Sequence, residues 1–305
     1  TVHAIALSDD DTLQALVFES GFVQFLQLGA NDTWGPTDSF NGAPDFPPLI
    51  RMDAHEGSVA AIAELGSTVL LRSADGTWSV EEAPGLPSGP AAHLAYGPDG
   101  TVHVAQGGGQ LELPGYARRP AEGGWESVPL PDGMVDGFST PVTVIDDLVH
   151  VCTAKYPDVL CTSSASSFTE LTDVFAFEAS SVDLAGSWML LSSGTANPLT
   201  FTLTARRFDG RQWASISELT LDGALGPVAV HEDAAGDLHV AAMTIAEAGQ
   251  TGWNLRYLKF GQDGAIEQSW VHCSVVSADV AGHGDGTPVV SFSTADEVVF
   301  LARPG

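Results

Sequence analysis

The chain has 305 residues, 44% hydrophobic and 16% charged, with 33 Gly and 18 Pro; it is too apolar to remain disordered and is rich in turn formers. Eleven Lys and Arg against 39 Asp and Glu give a net charge of −28, which excludes a basic stripe for nucleic acid and disfavours an anionic membrane surface. No run approaches the ~20 apolar residues of a membrane span, so no membrane insertion is expected.

In chain order, short apolar runs alternate with acidic, Gly or Pro turns. The first unit has a hairpin over residues 4–16 around Asp9-Asp10-Asp11, a run at 22–28, and Trp34. The second carries Arg51, Asp53 and His55 in its first run, then a run at 69–72 and Ser73-Ala-Asp-Gly-Thr-Trp78. A hairpin at 92–105 around Gly97-Pro98-Asp99-Gly100 opens the third unit, which reaches Trp125; the fourth turns at Asp146-Asp147 and reaches Phe168. The fifth holds Asp183, Trp188, a run at 199–205 and Trp213; the sixth holds a hairpin at 228–241, Trp253, a run at 255–260 and Trp270. A seventh unit turns at Gly284-Asp285-Gly286 and supplies only three runs, with no terminal aromatic.

The aromatics that follow a polar turn, Trp34, Trp78, Trp125, Phe168, Trp213 and Trp270, are 44, 47, 43, 45 and 57 residues apart, and are expected to anchor the packing of each unit. The runs are rich in Val, Leu and Ala and too short for helices. Four short strands per ~45 residues without a helix predict an all-β fold, a seven-bladed β-propeller of mostly four-stranded blades, as one domain over residues 1–305. The last blade either has three strands or closes in a way the sequence leaves open.

Cys152 and Cys161 flank a turn at Tyr156-Pro157. Pairing 155 with 158 and counting outwards sets 152 opposite 161, at the ~4.5–5.5 Å of opposed strand residues. A disulfide there implies an oxidising compartment, hence a secreted, periplasmic or cell-surface protein; two buried thiols are the alternative. Cys273 is expected in the core. The acid-rich surface, with Lys155 and Lys259 the only lysines, fits salt adaptation or ordinary solubility.

Ser73-Ala-Asp-Gly-Thr-Trp78 resembles the Asp-box, or bacterial neuraminidase repeat, of sialidase-like and fucose-binding-lectin-type propellers, one to two residues shorter than that family's Ser-x-Asp-x-Gly-x-x-Trp. The resemblance implies a propeller fold over the whole chain, in which such a hairpin stabilises the fold and has no catalytic role. Sialidase activity is not implied. That family gathers three arginines around its substrate's carboxylate, and this chain offers only Arg51 near the start of an inner strand.

His103, His150 and His239 recur at one place on the second strand of three blades, away from the channel, which predicts a repeated structural hydrogen bond. Asp53, His55, His93, Asp183, His231 and Asp279 lie on innermost strands; of these, Asp53, His93, Asp183, His231 and Asp279 are the candidates for an acid/base centre in the channel. The longest insertion between second and third strands ends at Trp253, so Trp253, Asn254, Lys155 and Tyr156 are candidates for a ligand face built from such loops. No phosphate loop, nucleophile elbow or cofactor motif occurs, and no cofactor is expected beyond calcium as a minor candidate at the acidic turns. These features predict a monomeric module that binds glycan or protein; a glycan hydrolase or lyase using the central acids is the alternative, and a structural scaffold the third reading.

Overall fold

A short strand that is apolar on both faces must be covered on both, and a sheet of four such strands finds that cover between two like sheets. The computed structural model describes residues 2–7, 12–19, 21–28, 33–41, 50–63, 67–89, 92–108, 112–134, 139–155, 157–176, 180–196, 199–245, 253–282, 287–294 and 297–302. Blade 1 is β1 (Val2–Leu7), β2 (Leu13–Glu19), β3 (Phe22–Leu28) and β4 (Trp34–Asn41), and blade 2 is β5 (Ile50–His55), β6 (Ser58–Ala63), β7 (Thr68–Arg72) and β8 (Trp78–Glu82). Blade 3 follows with β9 (Ala92–Tyr96), β10 (Val102–Gln106), β11 (Gly115–Arg119) and β12 (Glu126–Ser127). In blade 4 come β13 (Val142–Ile145), β14 (Leu148–Lys155), β15 (Asp158–Ser163) and β16 (Leu171–Ala176), and in blade 5 β17 (Ser181–Ala185), β18 (Trp188–Ala196), β19 (Leu199–Phe208) and β20 (Trp213–Asp222). Blade 6 is β21 (Ala224–Glu232), β22 (Leu238–Ile245), β23 (Trp253–Phe260) and β24 (Ile266–Val275); blade 7 has three strands, β25 (Ser277–Gly282), β26 (Pro288–Ser293) and β27 (Val298–Ala302). Every paired neighbour is antiparallel, and the described residues hold no α-helix. The fold is therefore the all-β, seven-bladed propeller that the repeat predicts, with three strands in the last blade among the described residues.

The core is divided among the seven seams between blades. In β6, Val59 and Ala61 face blade 1 while Ala60 and Ile62 face blade 3, which is why its sequence reads as a continuous apolar run. Trp188, fully buried, fills the seam between blades 5 and 6 and donates its indole N–H to the Gly236 carbonyl (3.0 Å). The innermost strands contact one another in the order β1, β5, β9, β13, β17, β21, β25 and back to β1, so the ring is closed.

That last seam joins blades from opposite ends of the chain without sharing a strand. Its apolar part is Ile5, Leu13 and Ala15 against Ala281 and Val289, flanked by Trp34 and Phe300 with ring centroids 4.5 Å apart. Its polar part is His3, whose Nε2 lies 2.9 Å from Ser291 Oγ and whose Nδ1 lies 3.5 Å from Ser277 Oγ.

The tight turns repeat as well. Ser73–Thr77, Gly97–Thr101, Asp233–Asp237 and Gly261–Ala265 share one bonding pattern, each closed by a side-chain carboxylate and each with a left-handed glycine: Gly76, Gly100, Gly236 and Gly264, at φ of 75° to 85°. The glycine after or before Asp in these turns is thus required by the backbone rather than by packing.

Cys152 and Cys161 oppose each other on β14 and β15, in the register that pairs Lys155 with Asp158, and are joined by a disulfide with a Cα–Cα distance of 4.1 Å. Two expectations are corrected. Cys273 is exposed on outer strand β24 and not in the core. Trp270 is no packing anchor: the fourth strand of blade 6 begins at Ile266, which takes the anchoring place, so Trp270 falls mid-strand, 55% exposed, beneath the Arg256 guanidinium at 4.3 Å.

Candidate ligand site in the central channel

All seven innermost strands enclose a cavity of about 520 Å³. Its lining runs from Arg51 down to Gly186, Asp233 and Ala234, turn residues that follow first strands, so the cavity opens on the side of the first-to-second strand turns. Asp53, His93, Asp183, His231 and Asp279, on five different blades, all line it. His55 instead lies at the rim, its ring stacked on Tyr96 at 5.7 Å.

Two of the carboxylates do the same local work. Asp53 accepts from the backbone N–H of Ala54 (2.8 Å) and, across the seam, of Tyr96 (2.7 Å). Asp279 accepts from Val280 (2.9 Å) and, across the last seam, from Ile5 (3.0 Å). An inner strand has an open edge toward the channel, and an Asp from the preceding blade satisfies one of its N–H groups. Asp183 plays a different part: Arg51 reaches from blade 2 across the channel to Asp183 on blade 5 (3.5 Å) and to the Val228 carbonyl on blade 6 (2.9 Å). Arg51 is thus a strut across the channel floor.

Burial sets the protonation of the rest. It raises the Asp279 carboxyl to about 6, against the pull of the Ile5 and Val280 N–H groups and of Arg51. Burial, then Arg51, pushes His93 well below the usual imidazole range, and burial, then His239, takes His231 down to about 4. Both rings are neutral at pH 7. Among the described residues, Arg51 is then the one cation on the lining, against Asp53, Asp183 and Asp279, with Glu232 and Asp233 nearer the mouth. Among the described residues no group of three or more His, Cys, Asp or Glu side chains is arranged to hold a metal ion.

The loop candidates lie elsewhere. Trp253 opens β23, at the end of its blade opposite the first-to-second strand turns; its half-buried ring rests on Gly226, where an added Cβ would come within 2.6 Å of it. Asn254 follows, its carbonyl accepting from Thr244 Oγ1 (3.4 Å). Lys155 ends β14, and Tyr156 lies outside the described residues, as do the acidic turns 9–11 and 284–286. The structure therefore brings the central candidates to one cavity and leaves Trp253 and Lys155 at the other end of their blades. Arg51, the residue that organises the cavity floor, was missed as a channel candidate because only ring closure carries it to blades 5 and 6.

The second-strand histidines keep structural company. His103 Nδ1 meets Tyr116 Oη at 2.7 Å and His239 Nδ1 meets Tyr257 Oη at 2.6 Å, with His239 Nε2 also 2.8 Å from Asp233. His150 departs from the pattern, lying edge-on to Phe208 and Trp213.

No protein-family model matches the sequence, and no curated protein is similar to it in sequence. Solved structures match over nearly the whole chain. A streptogramin B lyase superposes with a TM-score of 0.62 at 10% identity, covering 99% of this chain and 93% of its own. Hydrazine synthase of Kuenenia stuttgartiensis gives 0.62 at 12% identity over 98% and 95%, and BBS1N, in complex with ARL6DN, gives 0.61 at 10% over 98% and 89%. Identities this low define the fold, a propeller, and their varied chemistries give this chain none of its own.

Proposed function

We propose that the protein is a secreted or cell-surface binding module, and that a basic segment of a protein partner enters the central cavity from the side of the first-to-second strand turns. The observation that carries this reading is the charge of the lining: three carboxylates against Arg51, with both histidines neutral at pH 7. A lysine or arginine side chain brings the donors such a lining lacks, and the net charge of −28 steers a basic partner toward it. A cavity of about 520 Å³ is of the size that takes a side chain or small ligand.

A glycan fits less well. Among the described residues the rings on the lining are the imidazoles of His93 and His231, which offer a sugar no broad aromatic face to stack on. The hydrolase or lyase reading is weakened because both oxygens of Asp53 and of Asp279 are already engaged by backbone N–H groups. The Cys152–Cys161 disulfide supports an oxidising compartment, and the Asp75-closed turn at Ser73–Thr77 supports the Asp-box likeness as a fold-stabilising hairpin.

Calorimetric titration with a short oligolysine peptide, an oligoglutamate peptide and a panel of oligosaccharides tests the proposal. Oligolysine is expected to bind, with affinity that falls as salt rises and falls several-fold in Asp183→Asn. Binding of an oligosaccharide in preference to oligolysine, or turnover of any glycoside, would overturn it.

A further inference from the structure

We infer that the segment entering the cavity is an extended strand with basic residues at alternate positions, one in the channel and the next in a groove on the same face between blades 2 and 3. The inference rests on the cavity reading above and adds to it the conformation and spacing of the partner.

The groove has a volume of about 600 Å³ and is bounded by the first-to-second strand turns of both blades and the third-to-fourth strand turn of blade 2. Strands alternate in direction, so all of these turns lie at the end of the molecule on which the cavity opens. Cavity and groove are continuous. A mouth of about 560 Å³ shares Leu7 and Asp53 with the cavity, and His55, Glu56, Tyr96 and Pro98 with the groove. A chain that lowers one side chain into the channel therefore has a path away from it along this seam.

The seam suits a single extended chain. Packed sheets stand about 10 Å apart, which is already the diameter of an α-helix, so a strand fits between the turns and a helix does not. From His55 on the first strand of blade 2 to Ser79 and Glu81 on its fourth, the groove crosses three strand spacings, or about 14 Å, the span of about four extended residues. At its inner end lies the His55 ring, held between Tyr96 and Gly100, where an added Cβ would come within 3.6 Å of it.

Charge selects the side chains. The two arginines of the groove are already paired, Arg72 with Asp38 (3.3 Å) and Arg119 with Glu81 (2.8 Å). Glu56 and Asp99 face the groove from opposite walls, exposed in the turns of blades 2 and 3, and no Lys or Arg among the described residues is paired with either. Side chains of an extended chain alternate, so the residue that points the same way as the one in the channel is two positions on, about 6.7 Å away. That residue comes down between Glu56 and Asp99, and the one between them points to solvent. The pattern is basic-x-basic, and it reads the same in either chain direction.

Two heptapeptides of equal composition and charge test the inference, Ala-Ala-Lys-Ala-Lys-Ala-Ala and Ala-Ala-Lys-Lys-Ala-Ala-Ala, with N-acetyl-lysine amide as a probe of the cavity alone. The alternating peptide is expected to bind about three- to tenfold more tightly than the adjacent one. Glu56→Gln and Asp99→Asn should each remove most of that difference while leaving N-acetyl-lysine amide unaffected; Asp183→Asn should weaken all three ligands. Equal affinity of the two peptides, tighter binding of the adjacent one, or a preference that survives both groove variants would overturn the inference and leave the cavity reading standing. Failure of all three ligands to bind would overturn both.

Discussion

At the scale of single residues, the protein is held by polar groups that burial has stripped of their usual titration. His3, His103 and His150 join His231 in being driven down to about 4 by burial, and burial, then Arg51, holds His93 well below the usual imidazole range. A histidine whose folded pKa lies below its unfolded value near 6.5 stabilises the fold above pH 6.5, and that contribution is lost as pH falls toward 4. Each of the four at about 4 contributes on the order of 3 kcal/mol at neutral pH, so two or three of them match the whole stability of a typical domain. Asp279 has the opposite sign: its raised pKa gives stability that is present below about 4 and lost as pH rises through 6, which offsets roughly one histidine. The expected outcome is unfolding between pH 6.5 and 4, followed by circular dichroism, with His150→Phe moving the midpoint to lower pH. A midpoint below pH 4 would mean that these imidazoles take up protons without unfolding.

Trp253 makes the second residue-scale prediction. Its ring is set on Gly226 and packs on the core between blades 6 and 7, which marks it as a packing residue of that seam. Trp253→Ala is expected to cost about 2–3 kcal/mol in denaturant unfolding while leaving oligolysine affinity unchanged. Gly226→Ala should destabilise by about 1–3 kcal/mol through the same contact, since the added methyl must displace the ring. An affinity loss in Trp253→Ala without a stability loss would return the site to the second-to-third strand loops.

At the scale of elements, much of the fold was legible because strand and turn carry separate signals. The aromatics at 34, 78 and 213 open β4, β8 and β20, and Asp-Gly turns mark the hairpins of the latter two, so period and strand count could be read directly. The signal failed at Trp270 because blade 6 has Ile266, not an aromatic, at the start of its outer strand: pairing is regular from Phe260/Ile266 to Arg256/Trp270, and Trp270 lies four residues into the strand. It failed again for Cys273, whose neighbours look apolar in sequence but sit on an edge strand with one face in solvent. The β14–β15 register was legible because a short turn fixes pairing on both sides. Its disulfide closes a separation of nine residues, so Cys152→Ala with Cys161→Ala is expected to lower stability by roughly 2–3 kcal/mol. Thiol labelling of denatured, unreduced protein should reach only Cys273.

For the whole molecule, the cavity was only partly legible, and the reason is geometric. Asp53, His93, Asp183, His231 and Asp279 stand at different offsets along their strands, and nothing in one blade says how its inner strand is shifted against the next. Arg51 illustrates the limit: its partners are 132 and 177 residues away and meet it only because seven blades close a ring. Charge, by contrast, is a whole-molecule property that sequence states outright, and it now coincides with an acid-lined opening at the centre of the disc.

The central claim is that this opening receives a cationic side chain, and a crystal structure of the protein with a bound oligolysine peptide tests it most directly. The account predicts an ammonium group in the central cavity, within hydrogen-bond distance of Asp183 or Asp53, entering past Gly186 and Ala234. Peptide bound instead beside Trp253, with the cavity unaltered, would contradict it.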